Sequence, residues 1–198
     1  SFKTGNYIGI WNDIAGKFML MKKSGGYFEP WYLDEEYETF CLKILKGDWN
    51  DSINGLGKSL DGDKPYGSGV SVMATAQLYE NFNQMCEILS HIGGYDDVCE
   101  KYMQCQRKLV EGAKKHAVVG EKGDEQIVHG WGDKISYKVA GLCDEDGKRR
   151  HGLISTAFWG ISGLIRETPE LKDAMTRSYK ILDSKYGFKA FDHPFTPD

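Results

Sequence analysis

Two long segments with helical periodicity, separated by a pair of glycines, constrain the fold of this chain more than any other feature. In SGVSVMATAQLYENFNQMCEILSHIGG, apolar residues recur every three or four positions from Val72 to Leu89, and Gly93-Gly94 ends the pattern. YDDVCEKYMQCQRKLVEGAKKHAV repeats the pattern from Val98 to Leu109, with Asp96 or Asp97 as a candidate N-terminal cap. The sequence therefore predicts two antiparallel helices joined by a short glycine turn.

Further segments have helical patterns as well. IWNDIAGKFMLMKK predicts a short amphipathic helix ended by Ser24-Gly25-Gly26, and YLDEEYETFCLKIL predicts a second one with an apolar face from Leu33 to Leu45. LISTAFWGISGLI is apolar and predicts a buried helix. TPELKDAMTRSYKILDSKYG has Thr168 at the N-cap, Pro169 at the first helical position and Gly187 at the end.

The segments between these helices carry turn and loop signals. Glycine, proline, serine and aspartate in residues 52–70 predict a loop. Residues 126–143 mix polar and apolar side chains and predict a short extended pair or an irregular segment, followed by a tight Asp-Gly turn in CDEDGKRR. The sum is a mainly α fold with a few short strands, organised as a single unit over residues 1–198.

Composition and charge narrow the function classes. Hydrophobic residues make up 40% of the chain and charged residues 27%, which is typical of a globular protein. The net charge of −4 disfavours a nucleic-acid or anionic-membrane partner, and no stretch reaches the roughly 18 to 20 apolar residues of a membrane-spanning helix.

The cysteines indicate the compartment. They are odd in number and form no CxxC pair, so we interpret them as buried free thiols of a reducing, cytoplasmic environment. They are Cys41, Cys86, Cys99, Cys105 and Cys143.

Three familiar signatures fail on inspection. SINGLGKS ends like a phosphate-binding loop, but Ser52 stands where that loop requires glycine. DGDKPYGSGVSV begins like a calcium loop, yet Val72 occupies the position of the bidentate glutamate. The histidines lack the i, i+4 pairing of a zinc helix. The sequence therefore predicts no nucleotide, metal or other cofactor.

Two motifs are candidates for chemistry. In Asp48-Trp49-Asn50-Asp51, two carboxylates beside an indole could raise one carboxyl pKa and keep a proton for donation to a leaving oxygen. The competing interpretation is a capped helix start with Trp49 in the core. In VHGWGDKISYKV, glycines separate His129, Trp131 and Asp133 and allow close approach to a ligand, or they form a turn around a core tryptophan.

The order of these motifs resembles family 94 of the glycoside hydrolases, the inverting disaccharide and β-glucan phosphorylases. Members share the DWND string, a helical hairpin, an aromatic glycine-bearing segment, a D-DG turn, an apolar helix ending in W…SG, and a helix ending YGL…PP(F/Y)T. Here the same order reads GDWND, HGWGDKISYKV, CDEDGKRR, HGLISTAFWGISG and ILDSKYGFKAFDHPFT, over roughly residues 43–197. This chain has Ala157-Phe158-Trp159 where the family usually has glutamine before the tryptophan, and GSGVS where the family often has GES.

The resemblance implies a fold, a reaction and a site. It implies part of an (α/α)6 barrel catalytic domain, with residues 52–70 as its glycine-rich active-site loop. Asp51 resembles the general acid and Trp49 the ring that contacts the sugar, while Asp48 and Asn50 shape the site and Trp131 is a further substrate-binding candidate. The partners are a β-linked di- or oligosaccharide and inorganic phosphate as co-substrate.

The resemblance also leaves alternatives open. The chain stops before the family's phosphate-binding segment, so we expect it to belong to a larger polypeptide, with a homodimer as one option. An inverting hydrolase on a similar helical barrel would use a second carboxylate such as Asp133 as base. A non-catalytic sugar-binding or structural fragment is the other alternative.

Overall fold

The computed structural model describes residues 2–4, 7–12, 17–24, 27–30, 39–44, 56–57, 69–132 and 137–195. It is mainly helical with a few short strands, as predicted. In chain order the strands are β1 (Phe2–Thr4), β2 (Tyr7–Asn12), β3 (Lys17–Ser24), β4 (Tyr27–Pro30), β5 (Val70–Ser71), β6 (Val118–Val119), β7 (Gln126–Ile127) and β8 (Gly130–Trp131). The α-helices are α1 (Val72–Ile92), α2 (Asp96–His116), α3 (Leu153–Ile161) and α4 (Lys172–Leu182), with 3-10 helices at Leu164–Arg166 and Pro169–Leu171.

The N-terminal helix prediction is wrong. Residues of IWNDIAGKFMLMKK lie in β2 and β3, which pair antiparallel from Tyr7 opposite Lys22 to Asn12 opposite Lys17. With β1 and β4 they form a four-stranded sheet in the order β1-β2-β3-β4. The segment is apolar at so many positions that helical and strand periods both fit it, and cross-strand pairing decides the outcome.

The second N-terminal helix prediction is wrong where the structure describes it. Phe40 has a φ of 51°, which an α-helix does not contain. Lys43 bridges Val70 in an antiparallel arrangement, and the Ile44 amide donates to the Gly69 carbonyl at 2.8 Å. Residues 42–44 are therefore extended because they pair with β5, which periodicity within the segment cannot reveal.

The predicted helical hairpin is confirmed. Ser71 caps α1 by accepting a hydrogen bond from the Ala74 amide at 3.2 Å, and Gly93 ends it with a φ of 78°. The predicted aspartate cap of α2 is wrong, because Tyr95 is the N-cap residue. Asp96 and Asp97 instead lie in the first turn, where their negative charges favour the helix dipole.

The C-terminal helix α3 packs against α1 of this hairpin, and α4 packs against α3. The predicted buried helix is α3, and the buried Trp159 lies at its centre. Thr168 and Pro169 begin a 3-10 helix rather than α4 itself, and α4 ends at Leu182, five residues before the predicted end. Gly187 closes a separate turn with a φ of 107°.

The main hydrophobic core lies between these helices. Its buried residues include Val72, Ala76, Phe82, Leu109, Ala113, Trp159, Leu164, Leu171 and Met175.

The segment before α3 contains the predicted extended residues and the predicted turn. β7 pairs with β6 and β8 pairs with β5, so the strands exist but do not pair with each other. The Asp-Gly turn is confirmed, with the Gly147 amide donating to the Asp144 carbonyl at 2.9 Å. Among the helices of the described residues, none combines the length and apolar character needed to cross a membrane.

Candidate functional site

Most of the predicted site residues lie outside the described residues. These are Asp48, Trp49, Asn50 and Asp51 of the DWND motif, and Asp133, the base of the hydrolase alternative. Trp131 is described, as are the residues on both sides of the motif, Ile44 and Leu56. The described residues around the motif therefore define the surroundings of the candidate site.

Four extended segments lie side by side around Trp131. Lys43 pairs with Val70, Val70 pairs with Trp131, and Gly130 pairs with Val139, each in an antiparallel arrangement. The segment that leads into the motif thus lies two strands away from Trp131. This small irregular sheet is the part of the structure that positions the candidate site.

Both described neighbours of the motif belong to one apolar cluster. Ile44 and Leu56 are buried together with Val139, and the half-buried Tyr137 and Phe195 pack against them. We call these five residues the flanking cluster. The described residues on either side of the motif therefore lie in one cluster.

Three glycines make room for Leu56 beside the sheet. A Cβ atom on Gly69 would lie 2.3 Å from the Leu56 carbonyl oxygen, and one on Gly132 would lie 2.1 Å from it. A Cβ on Gly130 would lie 2.5 Å from the Val70 oxygen. Because no larger residue fits these positions, the glycines on both sides of Trp131 have a packing role as well as any role in ligand approach.

Trp131 is half-buried rather than fully enclosed. Its ring lies 6.4 Å from that of His116, and the Lys138 ammonium lies 5.3 Å from its centroid. Lys138 also donates a hydrogen bond to the His116 carbonyl, and burial lowers the pKa of the ammonium. The indole thus packs partly against the core, and an intramolecular cation lies over its ring.

The D-DG turn is held by one buried arginine. Arg150 donates from Nη1 to Asp146 at 2.8 Å and to Asp144 at 3.3 Å, and from Nη2 to Asp146 at 2.7 Å. Asp144 also accepts hydrogen bonds from the amides of Ala140 and Gly141. The remaining donors of Arg150 bind the carbonyls of His193 and Pro194.

The charges of this turn stabilise each other. The guanidinium of Arg150 holds the pKa of the Asp146 carboxyl well below its usual range. Burial raises the pKa of Asp144, an effect opposed by the two backbone amides and by Arg150. Because both carboxylates are bonded to Arg150, neither is placed to exchange a proton with a ligand.

The C-terminal segment connects this turn to the flanking cluster. The Phe195 ring lies 4.4 Å from the Arg150 guanidinium and packs against Ile44, Leu56 and Val139. Phe191 lies 4.9 Å from Phe195 and 5.7 Å from the ring of the buried His129. Sequence reasoning missed Arg150 and Phe195, although the paired arginines after the D-DG turn and the HPF string were visible signals.

The described residues offer no assembled metal centre, since no three His, Cys, Asp or Glu side chains among them are grouped to hold an ion. All five cysteines are free thiols. Cys41 is buried as predicted, whereas the other four are not: Cys86, Cys99 and Cys105 are half-buried and Cys143 is exposed.

Comparisons with known proteins add no relative. No protein-family model, curated protein or solved structure matches this chain.

Proposed function

We propose that this chain is part of the catalytic domain of an inverting phosphorylase that acts on a β-glucoside or β-glucan oligosaccharide. The observation that supports it is the convergence of separate motifs on the flanking cluster. Ile44 and Leu56 lie on either side of the DWND motif. Val139 pairs with Gly130, the residue before Trp131, and Phe195 comes from the HPFT string. The family resemblance rests on the order of these same segments. Because residues so distant in sequence need not contact each other, their meeting in one cluster supports the proposal.

Chain length supports the same placement. Asp51 precedes Leu56 by five residues. A fully extended stretch of that length spans at most about 18 Å. The Cα atom of Asp51 can therefore lie no more than about 18 Å from that of Leu56, whose carbonyl oxygen lies beside Gly132, the residue after Trp131. The helix pairs α1–α2 and α3–α4 would belong to the (α/α)6 barrel that the resemblance implies.

The proposed reaction needs one acid and no protein base. Asp51 protonates the glycosidic oxygen while inorganic phosphate attacks the anomeric carbon from the opposite face. The bond to the leaving sugar breaks, a bond to phosphate forms, and an α-sugar 1-phosphate results with inverted configuration. Trp49, Asp48, Asn50 and Trp131 would bind and orient the sugar next to the scissile bond.

The proposal extends to partners and setting. The substrates are a β-linked di- or oligosaccharide and phosphate, and no nucleic acid or membrane takes part. Phosphate would be bound by residues of the larger polypeptide to which this chain belongs, which could assemble as a homodimer. The five free thiols fit a cytoplasmic setting.

The test is sugar 1-phosphate formation from a panel of β-linked disaccharides and phosphate, using the longest natural polypeptide that contains this chain. We expect phosphate-dependent turnover, and Asp51→Asn should reduce it at least about 100-fold, since general acid catalysis contributes that much or more. Asp183→Asn, outside the proposed site, is the matched control and should leave turnover unchanged.

The other outcomes are equally decisive. Release of free sugar without phosphate would replace the proposal with a hydrolase, in which Asp133 is the first residue to test as base. Oligosaccharide binding without any turnover would replace it with a sugar-binding role. Near-normal turnover by Asp51→Asn would remove the acid assignment.

A further inference from the structure

We propose that Arg150 is a positioning residue of the candidate active site. It holds the segment that ends at Phe195 in place, and Phe195 packs in the flanking cluster with Ile44 and Leu56, the described residues on either side of the candidate acid. The catalytic part of this proposal rests on the proposed function, while its structural part does not.

The geometry of Arg150 is that of a central junction. Its side chain is 1% exposed. A guanidinium has five N–H donors, and here each has an acceptor: two oxygens of Asp146, one of Asp144, and the carbonyls of His193 and Pro194. One side chain therefore joins the D-DG turn to the C-terminal segment, with no donor left unused.

Only arginine can make this junction. The paired bonds to Asp146 need a planar fork, and the bonds to His193 and Pro194 leave the same group in other directions. A lysine has three donors on one nitrogen and cannot reach all these acceptors. Replacing Arg150 with lysine would keep the charge and lose the carbonyl contacts.

Phe195 connects the Arg150 junction to the flanking cluster. Its ring lies 4.4 Å from the Arg150 guanidinium and packs on Ile44, Leu56 and Val139. Residues 190–192 are also tied to the start of α3, because the Leu153 amide donates to the Ala190 carbonyl at 2.9 Å. The segment is thus anchored at its start by backbone bonds and at its end by Arg150.

Loosening this end should misplace the acid rather than unfold the chain. The main helical core is built from other residues, among them Leu109 and Trp159. Loss of the Arg150 contacts frees Phe195, and the flanking cluster then loses one side of its packing. A displacement of about 1 Å at a catalytic group can cost about 100-fold in rate.

The structural part is tested by amide hydrogen exchange on Arg150→Lys. We expect exchange at the Ile44 amide to rise at least about tenfold, because its bond to the Gly69 carbonyl depends on the flanking cluster. Exchange at the α2 amides around Leu109 should not change. The control variant Thr168→Val weakens the helical core instead. In that variant, the ratio of the exchange rate at the Ile44 amide to the rate at the core amides should be the same as in the parent protein.

The catalytic part is tested with two substrates. An unactivated β-linked disaccharide needs a proton for its leaving group, whereas an aryl β-glycoside with an acidic phenol does not. We expect Arg150→Lys to lower kcat about 10- to 100-fold on the disaccharide and far less on the aryl glycoside, with little change in KM for phosphate. A general structural defect would lower both equally.

The outcomes separate this proposal from the proposed function. If Asp51→Asn turns over the disaccharide normally, the acid assignment fails, and the exchange data alone decide the role of Arg150. If Asp51→Asn is inactive and Arg150→Lys is normal, only the positioning role is overturned. Should Arg150→Lys fail to fold, Phe195→Leu replaces it, and unchanged exchange at Ile44 in that variant overturns the proposal.

Discussion

At the scale of single residues, one hydroxyl organises the C-terminal half of the core. Thr168 accepts a hydrogen bond from the Trp159 indole at 2.8 Å and donates to the Leu164 carbonyl at 3.0 Å. Both Trp159 and Thr168 are fully buried, so water cannot replace the lost partner in a variant. An unpaired buried donor costs about 1–3 kcal/mol.

We therefore expect Thr168→Val to lower the free energy of unfolding by about 1–3 kcal/mol, measured by urea denaturation. Valine fills almost the same space, so the loss reports the hydrogen bonds rather than a cavity. Thr168→Ser is the matched control: it keeps the hydroxyl, removes one methyl group and should cost about 0.8 kcal/mol. A serine variant less stable than the valine variant would contradict the account.

At the scale of elements, a glycine in α2 sets how closely the hairpin approaches Thr39, in the segment that precedes the candidate site. A Cβ on Gly112 would lie 1.9 Å from the Thr39 carbonyl oxygen, so the two backbones could not keep their contact. Alanine gains about 1 kcal/mol of helix propensity over glycine, but forcing this contact apart costs about 1–3 kcal/mol. The steric cost is the larger of the two.

Gly112→Ala should therefore reduce the free energy of unfolding by up to about 2 kcal/mol, although it improves the helix. Gly160→Ala in α3 is the matched control, because its Cβ would meet only the flexible end of Met175, at 3.1 Å. That variant should be unchanged or more stable by up to about 1 kcal/mol. Equal effects of the two substitutions in urea denaturation would show that the contact with Thr39 is unimportant.

The elements that sequence predicts well are those whose signals are local. The hairpin has apolar periodicity from Val72 to Leu89 and from Val98 to Leu109, with a glycine stop between them, and each pattern lies within a 21-residue helix. Apolar patterns also predict α3 and α4. The failures are segments whose conformation depends on a partner. Residues 7–12 and 17–24 become strands because β2 and β3 pair, and residues 42–44 are extended because they meet β5.

The candidate site likewise contains features that the sequence reveals and features that only the structure reveals. The DWND and HGWG motifs stand out in the sequence because their residue types suit sugar chemistry. The Arg150 junction does not, since its acceptors lie four to 44 residues away and its importance comes from burial. Gly69, Gly130 and Gly132 belong to glycine-rich segments, yet only the structure shows that all three lie against Leu56 or its neighbour Val70.

At the scale of the whole molecule, the apolar contacts are unevenly distributed along the hairpin. The buried residues of α1 lie between Val72 and Phe82, and those of α2 lie between Leu109 and Ala113. No residue from 83 to 108 is buried, and large apolar side chains such as Ile88 and Ile92 are exposed there. Only half-buried side chains such as Met85, Leu89 and Val98 lie along this half, and helices with poorly buried apolar faces are marginal in water, so less packing stabilises it.

We expect amide exchange to divide the hairpin into two parts with a boundary near Phe82. Peptides covering residues 84–104 should exchange at least about tenfold faster than those covering 72–82 and 107–116, because opening the exposed half disrupts little buried surface. The stacked rings of Phe82 and Tyr102, 5.4 Å apart, mark where protection should begin. Mass spectrometry of exchange at two protein concentrations makes the measurement, since self-association through Ile88 and Ile92 would slow exchange only in the concentrated sample. Uniform protection of both halves at low concentration would contradict the prediction and show that the half-buried contacts stabilise the outer half as well as the core stabilises the other.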